Sequence, residues 1–224
     1  MRLALFDCDG TLVDSQNVIV AAMSRAFAAA GRTPPPRPAI LGIVGLSLVE
    51  AMRHLGADEP GFPAEEMAEH YRGAFHALRA EPDFHEPLFP GIRAMLDLLA
   101  VRDDVVLGIA TGKSQRGVAA VLDHHGLEGR FVTIQTADDA PSKPHPAMVH
   151  QAMQAVGSAP EHTVLIGDTS FDMTMARAAG ARALGVTWGY HSRPQLEASG
   201  AERLVDDAAA LLPTLDALWA EAGA

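Results

Sequence analysis

The stretch Leu3-Ala4-Leu5-Phe6-Asp7-Cys8-Asp9-Gly10-Thr11 decides how this chain folds. Four apolar residues in a row suit a strand buried on both faces, and the run stops at two acids, a glycine and a hydroxyl residue. Side chains alternate along a strand, so Asp7 and Asp9 leave its end on one side while Cys8 points the other way. Two carboxylates held that close repel one another unless a cation or a shared proton intervenes. Gly10 lets the backbone turn, and Thr11 offers a hydroxyl to a ligand. Taken alone, the same residues also describe an Asp-Gly turn with solvated acids, so the surrounding chain has to decide.

Immediately downstream the pattern is helical. Asp14 and Ser15 are cap candidates for a helix over 18–30, where Ile19, Met23 and Phe27 share a face and Gly31 is the stop. Pro34, Pro35, Pro36 and Pro38 make a stiff connector. A second helix over 47–55 aligns Leu48, Met52 and Leu55, and a third over 64–79 aligns Met67, Tyr71, Phe75 and Leu78. Residues 15–88 contain no convincing central strand.

After Pro90-Gly91 the periodicity changes. A helix with Ile92, Met95, Leu96 and Leu99 leads into an apolar strand over 105–110. Helix 114–126 then precedes strand 131–135, helix 146–156 precedes strand 163–166, and helix 170–179 precedes strand 183–187. A last helix covers 206–221. This alternation predicts an α/β fold, a Rossmann-like parallel sheet covered on both faces, with ligands at the carboxyl ends of the strands. Residues 1–14 and 89–224 form the core, and 15–88 form an inserted all-helical cap hinged near 12–15 and 88–91.

Composition narrows the function classes. A chain of 224 residues with 48% hydrophobic and 20% charged residues has the balance of an ordinary globular protein. Its 17 basic against 28 acidic residues give a net charge of −11, which disfavours a nucleic-acid partner. Cys8 is the only cysteine, so no internal disulfide forms. Asp7 cuts the first apolar run far short of a signal-peptide core or membrane span, and the expectation is a cytoplasmic protein without a membrane partner. The ten histidines show no metal-box spacing. His124-His125 precedes Gly126 at a helix end, where imidazole complements terminal carbonyls.

Three later strand ends carry polar groups of their own. Thr111-Gly112-Lys113-Ser114 places a hydroxyl and backbone N–H groups at a turn entering a helix, a setting suited to an anionic oxygen. Lys143 stands among Pro141, Pro144 and Pro146, which curtail backbone freedom and let its ammonium be aimed. Asp168 ends the fourth strand, and Asp172 follows one helical turn later. Asp7, Asp9 and Asp168 would suit a hard cation such as Mg²⁺, and Thr111, Gly112 and Lys143 would suit phosphate oxygens. Phosphoryl transfer, in which positioning and charge neutralisation carry most of the catalysis, is the chemistry on which they converge.

Asp7-x-Asp9-Gly10-Thr11, Thr111-Gly112, Lys143-Pro144 and Gly167-Asp168 followed by Asp172 resemble, in order and spacing, the four motifs of the haloacid dehalogenase superfamily. The insertion after the first strand is similar to the helical cap of the phosphoglycolate phosphatase-like branch, and Leu88-Phe89-Pro90-Gly91 resembles its return to the core. The tail segments 185–190 and 204–207 resemble that branch too. The resemblance implies Asp7 as a nucleophile that forms an aspartyl-phosphate and Asp9 as general acid and base. It also implies Mg²⁺ held by Asp7, the Asp9 backbone carbonyl and Asp168. Asp172 would orient those ligands or Lys143, Thr111 and Gly112 would hold the phosphoryl group, and Lys143 would neutralise its charge. The implied substrate is a small phosphorylated metabolite, phosphoglycolate first, with selectivity expected from Gly45, Leu46, Ser47, Arg53 and Lys113.

Three other readings share parts of this pattern. A dehalogenase of the same superfamily has no need of the second acid, Asp9. A β-phosphoglucomutase-like enzyme carries a histidine and a basic residue where this cap has Ile19 and Leu48. A regulatory protein that kept the fold without turnover has no use for a nucleophile and a proton shuttle together.

Overall fold

The computed structural model describes residues 1–222. Its core is a six-stranded, all-parallel sheet in the order β3-β2-β1-β4-β5-β6, with β1 (Arg2–Phe6), β2 (Val105–Thr111), β3 (Thr133–Thr136), β4 (Thr163–Gly167), β5 (Arg182–Val186) and β6 (Arg203–Val205). β1 is central, and both of its faces are covered. Ala4 and Phe6 pack on one side with Ile92, Leu96, Leu215 and Trp219, while Leu3 and Leu5 pack on the other with Met148, Val149 and Met173. That two-sided burial is why the strand reads as an unbroken apolar run.

Helices α5 (Ile92–Ala100), α6 (Gln115–His124), α7 (Ala147–Val156), α8 (Ser170–Ala178), α9 (Arg193–Ala198) and α10 (Leu211–Glu221) accompany this sheet. From β1 the chain crosses to β2 and β3 on one side, then returns to β4 on the other. Strand order therefore reverses at β1, and the crevice at the carboxyl ends of β1, β2 and β4 is where such a sheet binds ligands.

Between β1 and α5 lie α1 (Gln16–Ala29), α2 (Arg37–Leu41), α3 (Leu48–Leu55) and α4 (Ala64–Arg79). Ile19, Met23, Phe27, Ile40, Met52 and Met67 give this helical unit a hydrophobic centre of its own. The two segments that join it to the core run antiparallel: Val13 bridges Leu88, Asp14 N donates to Pro87 O at 2.8 Å, and Phe89 N donates to Leu12 O at 3.0 Å.

Three details differ from the sequence reading. The proline-rich connector contains α2, because Pro38 falls in its first turn, where a missing N–H costs nothing. α9 and the three-residue β6 were not expected, and the last helix begins at Leu211 after a short 3₁₀ turn over Ala208–Ala210. Elements this short carry too few residues to display a period. Among the described residues no helix is long and apolar enough to cross a membrane.

Candidate active site

β1 delivers Asp7 to the crevice. The Asp7 N–H still bonds Ile166 O of β4 at 2.9 Å, after which the chain turns, with Leu12 N and Val13 N both donating to Cys8 O. Gly10 makes the turn possible in two ways: its φ is +87°, and a Cβ there would stand 2.3 Å from Asp168 Oδ2. Cys8 points away from the crevice and is buried beside Val13 and Val121.

Around Asp7 the remaining groups converge. Lys143 Nζ lies 2.8 Å from Asp7 Oδ1, a close ion pair without hydrogen-bond geometry, and 2.6 Å from Asp172 Oδ1, to which it donates. Asp172 Oδ2 accepts from Thr169 N at 3.1 Å and Thr169 Oγ1 at 2.7 Å, so Asp172 is engaged in capping α8 and fixing Lys143. Asp168 accepts from Thr11 Oγ1 at 2.9 Å and from Tyr190 N at 2.8 Å. Beyond the Lys143 ammonium at Oδ1, Asp7 has no polar partner on either oxygen, although the residue is only 1% exposed.

Oxygens of Asp7, Asp168 and Asp172 all lie within 4.8 Å of one another, with one ammonium among them. Burial pushes Asp7 up to about 6, opposed by Lys143 and reinforced by Asp172 and Asp9. Burial and then the Asp7 and Asp172 charges push Asp168 well above the carboxylate range, against the donors from Tyr190 and Thr11. Burial disfavours the Lys143 charge, yet Asp172 and Asp7 hold its pKa above that of an ordinary lysine. This excess of buried negative charge, with an unpartnered Oδ2 on Asp7, fits a hard divalent cation. Asp7 and Asp168 have the free acceptor capacity to ligate it; Asp172 has little to spare.

Asp9 is held differently. Its Oδ1 accepts from Ser15 Oγ at 2.7 Å and from Lys113 Nζ at 2.8 Å, and Oδ2 lies 3.2 Å from the same ammonium. Lys113 also reaches Glu86 Oε1 at 3.3 Å. Burial works against the Lys113 charge, but the Asp9 and Glu86 carboxylates raise its pKa past the usual lysine value. Ser15, expected as a helix cap, spends its hydroxyl on Asp9 and Tyr190 and makes no capping bond.

A cavity of about 420 Å³ opens above these groups, reached by Asp7, Asp9, Thr111, Gly112 and Lys113 from the core and by Gly45, Leu46 and Ser47 from the helical unit. The 42–47 loop rests directly on the core: Ser47 N donates to Ser142 Oγ at 2.8 Å, and His191 Nε2 meets Gly42 O at 3.3 Å. A Cβ on Gly112 would stand 2.4 Å from Gly45 O, so glycine here serves close approach. Arg53 does not join this group. It sits on the solvent side of α3, bonded to Glu50 at 2.5 Å and Glu65 at 2.7 Å. The imidazole of His125 is not spent on its own helix end either, since Nε2 meets Glu86 O at 2.8 Å. Glu86 went unrecognised in the sequence, where no period or motif marks it. Ser15 had a signal, a hydroxyl six residues past Asp9, that capping chemistry explained equally well.

Residues 4–186 match the model of the haloacid dehalogenase-like hydrolases. The chain belongs to that family. A phosphoglycolate phosphatase from Pseudomonas putida is 33% identical over 216 residues, which cover 95% of this chain and 79% of the relative. A pyrophosphatase from Bacillus pumilus is 33% identical over 84% of both chains. Among solved structures, a hydrolase from Pseudomonas syringae superposes with a TM-score of 0.83 at 28% identity, covering 97% of this chain and 99% of its own. Family membership thus extends over the four strand-end motifs and the helical unit together.

Proposed function

We propose that this haloacid dehalogenase-like hydrolase is a Mg²⁺-dependent phosphatase that cleaves a small-molecule phosphate monoester through an aspartyl-phosphate on Asp7. The observation that carries this reading is the Asp7 carboxylate itself: buried, paired through Oδ1 with the Lys143 ammonium, and without a partner on Oδ2. A buried carboxylate whose second oxygen has no partner, beside an ammonium that steadies it, is placed to attack.

In the first half-reaction an Asp7 oxygen bonds to phosphorus while the ester P–O bond breaks, and Asp9 gives its proton to the departing alkoxide. In the second, Asp9 takes a proton from water as that water attacks phosphorus, and the Asp7–phosphorus linkage breaks to release inorganic phosphate. Thr111 Oγ1 and the Gly112 N–H hold the phosphoryl oxygens, and Lys143 neutralises their growing charge. Asp7, Asp168 and the Asp9 carbonyl would hold Mg²⁺, which when bound supplies further charge neutralisation. Residues 15–88 act as a cap that shuts over the site through its two linkers and excludes water.

Phosphoglycolate is the first ester to test and pyrophosphate the second, on the strength of the relatives described above. The apolar Ile19 and Leu48 at the cavity wall weigh against a mutase, whose cap would carry a histidine and a basic residue there. The deciding experiment is phosphate release from a panel of phosphorylated metabolites and p-nitrophenyl phosphate with Mg²⁺, compared with the Asp7→Asn variant. Turnover that vanishes in Asp7→Asn supports the reading; equal rates, or no release with any divalent metal, would overturn it.

A further inference from the structure

The cavity over the phosphoryl groups, about 420 Å³, has the size that encloses a whole organic ligand and is more than a two-carbon acid ester fills. Its upper wall is apolar. Lys113 Nζ, 2.8 Å from Asp9 Oδ1, is 5.3 Å from the centre of the Phe75 ring, so this ring stands beside the phosphoryl floor. Tyr71 precedes Phe75 by one helical turn on the same face of α4, with ring centroids 5.8 Å apart. Ile19 and Met23 of α1, Leu46 of the 42–47 loop and Leu48 of α3 complete the wall. Tyr71, Phe75 and Leu48 are only half-buried: each packs on the hydrophobic centre of the helical unit and also lines the cavity. Apolar surface gathered in a cavity and left without a protein partner is what an apolar ligand covers.

The cations around the cavity are ill suited to the carboxylate of a small acid. Lys113 already serves both Asp9 oxygens, at 2.8 and 3.2 Å, and Glu86 at 3.3 Å, so a further carboxylate there meets two of its own sign. Arg79 lies over the Phe75 and Phe84 rings and pairs with Glu86 at 3.7 Å, and Arg72 pairs with Glu69. His76 and Arg116 line the cavity as exposed side chains, where a charge pair gains little. We propose that the substrate class is a phosphate monoester whose alcohol carries an apolar ring, seated against Tyr71, Phe75 and Leu48, rather than the ester of a two-carbon acid. This rests on the phosphatase reading above and names the substrate class of that same site.

The test uses three primary esters whose leaving groups are all alkoxides: ethyl phosphate, 2-phenylethyl phosphate and phosphoglycolate. With Mg²⁺ saturating, kcat/KM is measured on each for wild type, Tyr71→Ala, Phe75→Ala and the double variant. The readout is the ratio of 2-phenylethyl to ethyl phosphate, because a loss of folded enzyme lowers both members equally. In the wild type 2-phenylethyl phosphate is expected to be preferred by about tenfold or more, and to exceed phosphoglycolate as well. Removing both rings brings the ratio toward one. A wild-type ratio near one, or phosphoglycolate cleaved at least as well as 2-phenylethyl phosphate, would overturn the substrate class and leave the phosphatase reading intact. A preference that survives the loss of both rings would overturn the part given to Tyr71 and Phe75. If neither these esters nor p-nitrophenyl phosphate released phosphate with any divalent metal, the phosphatase reading would fall and this proposal with it.

Discussion

Lys143 and Lys113 each place one ammonium between two buried carboxylates, yet they join different parts of the molecule. Lys143 links Asp7 at the end of β1 to Asp172 on α8, both within the core, and its side chain is fully buried. Lys113 links Asp9 to Glu86 on the segment returning from the helical unit, under the Phe75 ring of α4. The first pairing lies wholly within the sheet-and-helix core. The second spans a seam, so its strength depends on where the helical unit sits.

The largest effect that could break this contrast is on stability. Lys143→Met leaves Asp7 and Asp172 facing each other without their cation, beside Asp168, and is expected to cost about 3–5 kcal/mol together with nearly all turnover. Lys113→Met leaves Glu86 with Arg79 and Asp9 with Ser15, so it should cost about 1–2 kcal/mol. Denaturant midpoints taken without divalent metal measure both. Equal costs would mean that the seam is as rigid as the core and that the contrast has no thermodynamic content.

The same contrast explains what was legible in the sequence. Asp7, Asp9, Thr111, Lys143 and Asp168 were visible because each sits at the end of an apolar run or inside a proline frame, and a parallel sheet brings such ends to one edge. Their spacing along the chain needed only that topology to become proximity. Glu86 has no such marker: it lies in an irregular stretch, and only tertiary contact with Lys113 gives it meaning. The same limit hid α2 and β6, which are shorter than the period that would reveal them. Lys113, expected to contribute to selectivity, lines the cavity with its ammonium between Asp9 and Glu86.

A middle-sized effect sharpens the seam itself. Gly112 tolerates the Gly45 and Leu46 carbonyls because it lacks a Cβ, which would stand 2.4 and 2.5 Å from them. Backbone oxygens of a packed loop cannot yield as a flexible side chain does, so Gly112→Ala has to push the 42–47 loop outward. The substitution keeps the backbone N–H. The expected result is a loss of about tenfold in kcat/KM with an unchanged denaturant midpoint, since the altered contact is between the helical unit and the sheet-bearing part rather than within either. A midpoint that falls with activity would place the damage in the sheet and not at the seam.

The smallest effect belongs to Arg53, whose position beside the 45–47 loop suggested a substrate contact. One residue along a helix turns the side chain by about 100°, so the step from buried Met52 carries Arg53 out of the apolar face. It meets Glu50 one turn back and Glu65 on α4, both in solvent, where ion pairs are screened and the side chains keep much of their freedom. Arg53→Ala is therefore expected to leave kcat and KM unchanged for every ester that the protein hydrolyses. A selective rise in KM for one ester would show that the helical unit rotates far enough during turnover to bring α3 over the cavity, and the seam at Lys113 would then be the hinge about which it moves.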